Sequence, residues 1–309
     1  MYNKLKICLI GDGIHSKRIQ KILNKKKLKF EIFKPKNKKN YNKQNLDNFR
    51  RFNAIFIVSP DYTHYSYIEK LHKFGYLFCE KPPCTTKEQL LLLKKIKSRK
   101  IYYNYNYRFS KLYETLKNRN KFNLGKLLYG NIINGHALGL KKEYKKNWRS
   151  KKIYSKKGIL EVVSVHFVDM INNIFKIRNF EVLKLHNASS YGDSYDNSIL
   201  TLITKNNSTI NIFNSWTSEL IRKKIFIFEN GSIEENENCL IVKGPALNLD
   251  KNNFTKPAKV LKKIDYKYKK NIDDTLTKSV DYFLEKSSKG KYFDKNKISM
   301  SLVSNSYVI

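Results

Sequence analysis

Residues 6–16 read KICLIGDGIHS. A short apolar run, KICLI, passes into a turn with two glycines and then into HSKRIQKIL (15–23), whose apolar residues recur at helical spacing. Strand, glycine turn and helix in that order open a parallel α/β unit. In such a turn Gly11 allows the tight reversal, and Gly13 lets backbone approach a pyrophosphate held at the positive end of the helix. Ser16 stands where a third glycine is usual. A bare G-x-G also serves as an ordinary strand-to-helix turn, so its weight depends on the rest of the chain.

Strands and helices alternate beyond it. KFEIF (29–33), AIFIV (54–58), YLFC (76–79) and IYYNYN (101–106) read as further strands, with helical patterns at 65–75 and 85–97 between them, the second opened by a Thr cap. Beyond residue 120 the texture changes: GILEVVSVHFVDMINNIF (158–175) reads as one long, mostly buried helix. EVLKLHNAS, SILTLIT, TINIFNSWT, KKIFIFE and CLIVKG come next as strands broken by polar turns, before a helix at 276–288 and a short last element. The expected fold is α/β. A Rossmann-type, doubly wound parallel sheet over 1–120 precedes an α/β domain with a large, mainly antiparallel open sheet over 121–309, whose last helices are free to pack back on the first domain.

Composition narrows the function. Lys and Arg number 62 against 26 acids, a formal net charge of +36. Of those cations 53 are Lys, spread over nearly every element, whereas nucleic-acid recognition favours Arg and a localised stripe. No nucleic-acid partner is expected. No apolar run reaches the ~18 residues of a membrane span. The N-terminus enters its first strand without a signal core, which makes a cytoplasmic location the expectation. Cys8, Cys79, Cys84 and Cys239 show no metal spacing and read as reduced thiols, so no metal is expected.

Three motifs stand at strand ends. Ser59 and Pro60, in SPDYTH (59–64), end the third strand at the edge of the sheet where open α/β proteins bind ligands. Asp61 and Thr63 equally suit a helix cap, whereas His64 is harder to place that way. CEKPPC (79–84) sets a carboxylate and an ammonium beside two prolines at the end of a buried strand. At the end of the second strand, where a carboxylate would bind the 2′-hydroxyl of NAD, stand Phe33, Lys34, Pro35 and Lys36, which lean the cofactor towards NADP.

GDGIHS, SPDYTH, EKPP, YNYNYRFS (103–110) and SVHFVD (164–169) resemble, in order and spacing, the superfamily of glucose-fructose oxidoreductase and inositol dehydrogenase. The resemblance covers essentially the whole chain. It implies NADP or NAD as cofactor, held by Gly11, Gly13, Ile14, Ser16, Lys34, Ser59, Pro60, His64, Glu80 and Asn106. It further implies Lys81 and His166 as the catalytic pair, Lys81 facing the substrate hydroxyl that becomes a carbonyl, which suits a lysine in a dry pocket. Arg108, Trp148, Arg149 and Asp169 would meet the substrate, a sugar, cyclitol or nucleotide sugar. Trp148 and Arg149 suit a stacking face and an anion clamp, and equally simple packing and a surface charge. A homo-oligomer, dimer or tetramer, is implied as well. One departure stands out: many relatives carry Asp four residues before the histidine, and here that residue is Val162, with Asp169 a possible holder of the ring. A cofactor-binding sensor or scaffold that has lost efficient chemistry is the alternative that Val162 motivates.

Overall fold

A computed structural model describes residues 2, 4–34, 46–266 and 268–309. Of the lysine-rich run KPKNKKNYNK (34–43), only Lys34 is among the described residues. The chain divides into two compact units, Met1–Asn106 with Asp274–Ile309, and Tyr107–Asp273. The sequence reading drew one boundary, after residue 120; by compactness the helix at 111–117 goes with the second unit and the C-terminal helices with the first.

In the first unit β1 (Ile7–Ile10), α1 (Ile14–Lys25), β2 (Phe30–Phe33), β3 (Ala54–Ile57), α2 (His64–Leu71), β4 (Tyr76–Glu80), α3 (Lys87–Lys95) and β5 (Ile101–Asn104) alternate. The strands form a parallel sheet in the order β2-β1-β3-β4-β5. ICLI, AIFI, YLFCE and IYYN are buried at every position, as strands covered on both faces must be. The register sets Ile10 beside Ile57, Ile57 beside Cys79 and Glu80 beside Asn104, so the turns after β1, β3, β4 and β5 emerge along one edge. The chain reverses direction across the sheet at β1, which makes the gap between β1 and β3 the switch point where such sheets bind ligands. Phe56, Phe78, Tyr102, Phe283 and Phe293 pack ring against ring beside this sheet, with Phe78 and Phe283 at 5.4 Å and Phe283 and Phe293 at 5.8 Å.

The second unit holds α4 (Lys111–Lys117), β6 (Leu127–Gly135), α5 (Val165–Phe175), β7 (Ile177–His186), β8 (Asn197–Thr204), β9 (Thr209–Ser215), β10 (Ile221–Phe228), β11 (Gly231–Glu235), β12 (Cys239–Lys243) and β13 (Val260–Asp265). Its eight strands run β13-β12-β11-β10-β6-β9-β8-β7, antiparallel except where β6 meets β9. Alternation along β8 buries Ser198, Leu200, Leu202 and Thr204 on one face, the pattern of a sheet covered on one side. The chain then closes with α6 (Tyr268–Ser288) and α7 (Lys295–Ser306). The expected α/β architecture is therefore present, with one local difference. The helix read over 158–175 begins with a π-helical turn, Leu160–Ser164, before α5. Polar side chains are buried beneath it: Asn134 donates to Asn214 (3.0 Å) and Asn214 to Ser164 (2.8 Å), whose hydroxyl meets that of Ser198 (3.1 Å).

Candidate cofactor and active site

At the glycine turn, two glycines do different things. Gly11 has φ +111°, and a Cβ there would lie 2.7 Å from the carbonyl oxygen of Val58, so the fold itself demands glycine. Gly13 caps α1 with an ordinary φ of −76°, and a Cβ there would meet nothing within 4 Å. Nothing in the chain requires glycine at 13; the open cradle at the helix N-terminus does, if a pyrophosphate is to lie against the backbone. Ile14, the first residue of α1, is 81% exposed beside that cradle, apolar surface of the kind a bound ligand covers. The residues present thus fit a dinucleotide. Ser16, placed against the cofactor from sequence, is fully buried and donates to the carbonyl of Gly11 at 2.8 Å, bracing the turn from behind.

The other turns converge on the same edge. His64 is fully buried, with Nδ1 2.7 Å from the carbonyl of Pro82 and Nε2 2.9 Å from that of Ser59. Its ring ties the turn after β3 to the turn after β4 and is spent inside the chain. The Ser59 hydroxyl meets that of Thr63 at 2.6 Å, and Thr63 donates to the carbonyl of Pro60. Part-buried Lys81 directly follows Glu80 at the end of β4, and the Lys81–Pro82 peptide is cis. Asn106 gives its amide to Thr275 at 2.8 Å.

Glu80 is the hub. Its buried carboxylate accepts at Oε1 from Asn104 (2.6 Å) and pairs there with Nε2 of His15 (2.7 Å). Burial pushes this carboxyl up, but the charge and hydrogen bond of His15, the amide of Asn104 and the charge of Lys81 together hold it below its ordinary value. Asn104 accepts in turn from Ser279 on α6, whose hydroxyl meets that of Tyr102. Sequence reasoning missed His15 and Asn104. His15 lay inside the quoted turn, where attention goes to the glycines, and nothing local shows that residue 15 reaches residue 80.

Lys34, at the end of β2, pairs with Asp12 of the glycine turn (2.7 Å), and Gln20 donates to the other oxygen of Asp12 at 3.2 Å. The hydrogen bond from Lys34 is the main reason the Asp12 carboxyl lies below its usual value. No carboxylate stands at the end of β2, and the one that pairs with Lys34 comes from the glycine turn. Lys36 lies outside the described residues.

In the second unit His166, on α5, stacks on Tyr107 with ring centroids 4.4 Å apart. Asp169 does not hold that ring. Its buried carboxylate takes a two-pronged bond from Arg108, 2.8 Å from Nε and 2.6 Å from Nη2, and a further one from Asn173. Arg108 and Asp169, read from sequence as separate substrate contacts, are a matched pair. Arg149 lies over the ring of Trp148 at 4.4 Å, and Trp148 packs against Tyr144, Ile159, Val162 and Trp216. Val162 is 4% exposed in that apolar cluster, and the neighbouring Glu161 accepts from the Ser155 hydroxyl at 2.8 Å. The four cysteines are buried and unbridged, and among the described residues no group of three or more His, Cys, Asp or Glu could hold a metal ion. No described helix is long and apolar enough to cross a membrane.

Comparison with known proteins agrees with this geometry. Residues 9–102 match a family model described as an oxidoreductase family with an NAD-binding Rossmann fold. No curated protein sequence matches the chain. Among solved structures, levoglucosan dehydrogenase in complex with NADH and levoglucosan aligns at 13% identity over 98% of this chain and 95% of its own, with a TM-score of 0.76. An Agrobacterium radiobacter oxidoreductase in complex with NAD+, L-tartaric acid and magnesium aligns at 14% identity over 99% and 94%, with a TM-score of 0.71. A dehydrogenase (MviM) of Clostridium difficile aligns at 17% identity over 99% and 97%, with a TM-score of 0.70. Residues 9–102 thus resemble the oxidoreductase family with an NAD-binding Rossmann fold, and the chain shares the fold of these solved structures along its length.

Proposed function

We propose that the protein is an NAD(P)-dependent dehydrogenase or reductase that moves a hydride between the nicotinamide and a secondary alcohol or ketone of a sugar, cyclitol or nucleotide sugar. The observation that carries this reading is Gly13, whose missing side chain leaves the backbone at the N-terminus of α1 open to a ligand. The cofactor, when bound, supplies the hydride chemistry. The chain supplies the cradle at α1, the Glu80 hub and two proton-handling groups, Lys81 and His166. Lys81 would exchange a proton with the reacting hydroxyl, and His166, its ring fixed against Tyr107, would share that work.

The reading is tested with a panel of sugars and cyclitols, following nicotinamide reduction by absorbance. With a substrate that turns over, Lys81→Ala and His166→Ala should each lower kcat by roughly 10²-fold or more at nearly unchanged cofactor affinity. Near-parental kcat in Lys81→Ala would overturn the assignment. One observation favours a second reading, a cofactor-binding sensor: Val162 fills an apolar cluster four residues before the histidine, where many relatives carry an Asp. Tight cofactor binding without turnover across the panel would select it. A homo-oligomer completes the proposal, supported by apolar residues exposed on the second unit's strands, among them Leu183, Ile199 and Ile227, and measured by sedimentation.

A further inference from the structure

His15 stands in the first turn of α1, two residues past Gly13, with its side chain 38% exposed. Its Nε2 lies 2.7 Å from Oε1 of Glu80, at the end of β4. A carboxyl held below its ordinary value is ionised at neutral pH and only accepts, so Nε2 carries the hydrogen and donates. Asn104 donates to the same oxygen at 2.6 Å, and its amide is fixed that way round because its own oxygen accepts from Ser279 at 2.5 Å.

Both donors thus meet one oxygen. Among the described residues none meets the other, Oε2, although the Glu80 side chain is nine-tenths buried, with 10% of its surface open. A carboxylate oxygen so withdrawn from water calls for a donor, and the edge of the sheet where Glu80 stands is where a ligand would bring one. The strand order says which. Neighbouring strands lie about 4.8 Å apart, so β4 is about 10 Å from β1 on the side of β3, while β2 flanks β1 on the other side. A dinucleotide with its pyrophosphate at Gly13 and its adenosine ribose at the end of β2 extends its nicotinamide half over β3 towards Glu80. The ribose of that half carries hydroxyl donors of the kind Oε2 lacks.

We propose that His15 is a positioning residue for the cofactor: with Asn104 it clamps Glu80 through Oε1, so that Oε2 takes a hydroxyl of the nicotinamide-side ribose. The clamp comes from the turn that carries the pyrophosphate, so one connected piece of the chain recognises both the middle of the cofactor and its nicotinamide half. The inference rests on the dinucleotide reading and adds to it a residue that acts through Glu80.

The test titrates the full chain by calorimetry at neutral pH with the tighter-binding of NADH and NADPH, and with the matching adenosine half, ADP or adenosine 2′,5′-bisphosphate. His15→Leu should weaken the whole cofactor about tenfold or more, the scale of one lost hydrogen bond to a charged group, and the adenosine half less than about twofold. His15→Gln, whose amide nitrogen can still donate to Glu80, should keep most of the parental affinity. Glu80→Ala should weaken the cofactor as His15→Leu does, and adding His15→Leu to it should cost little more, because one residue acts through the other. Melting temperatures measured alongside report that each variant is folded. Parental affinity in His15→Leu, equal losses for the cofactor and its adenosine half, His15→Gln as weak as His15→Leu, or additive losses in the double variant would overturn the role. Failure of the parent to bind either nicotinamide would instead overturn the dinucleotide reading itself.

Discussion

Nε2 of His15 lies 2.7 Å from Oε1 of Glu80, joining the glycine turn after β1 to the motif after β4 across 65 residues of sequence. Because this pairing, with Asn104, holds the Glu80 carboxyl below its ordinary value, Glu80 stabilises the fold above the usual carboxylate range. That stability is lost as pH falls from there through the depressed value. Glu80→Gln should therefore melt lower at pH 7, by an amount equivalent to roughly 1–3 kcal/mol, and show a flatter acid limb of melting temperature against pH. An acid limb identical to the parent's would refute this role.

Gly11 and Gly13 are two residues apart and should respond oppositely to a side chain. Gly11→Ala puts a Cβ against the Val58 carbonyl in a left-handed conformation and should cost roughly 2 kcal/mol or more, read by denaturant titration. A Gly11→Ala variant as stable as the parent would contradict the turn geometry.

The Asp12–Lys34 pair bears on cofactor choice. While Asp12 neutralises Lys34, the lysine's attraction for a 2′-phosphate is offset. Asp12→Asn removes one exposed negative charge, worth about 1 kcal/mol at ~4 Å in water, and should shift the ratio of NADH to NADPH dissociation constants about fivefold towards NADPH. Lys34→Ala should shift it the other way. Ratios unchanged in both variants would show that the pair does not face the adenosine ribose.

How much of this was legible in the sequence differs between motifs and partners. The parallel, doubly wound sheet could be read from ICLI, AIFI, YLFC and IYYN, because continuous apolar runs between helical patterns have few other uses. The Thr86 cap was legible for the same local reason: its Oγ accepts from the amide of Gln89. The site's internal wiring was not. His64 bonding to Pro82, Glu80 to His15 and Arg108 to Asp169 are contacts between turns, set by strand register and visible only once the sheet is assembled. The C-terminal helices were read as free to pack back on the first domain, but their contacts, Ser279 on Asn104 and Asn305 on the carbonyl of Cys84, were not legible.

Arg108 and Asp169 offer a test of structure against substrate contact. Asp169 is 1% exposed, and its loss leaves a half-buried guanidinium without its carboxylate. Asp169→Ala should cost about 3–5 kcal/mol of stability in chemical denaturation. A variant of parental stability with a raised KM would return Asp169 to the substrate.

The central claim, a nicotinamide dinucleotide lying on the glycine turn, is tested most directly by titrating the parent and Gly13→Val with NADH and NADPH, following the nicotinamide fluorescence. Since a Cβ at 13 meets nothing within 4 Å, the variant should fold with an unchanged circular dichroism spectrum and melting temperature. The account predicts saturable binding of at least one cofactor by the parent and its loss, by 100-fold or more, in Gly13→Val. Undiminished affinity in the folded variant, or no binding of either cofactor by the parent, would contradict it.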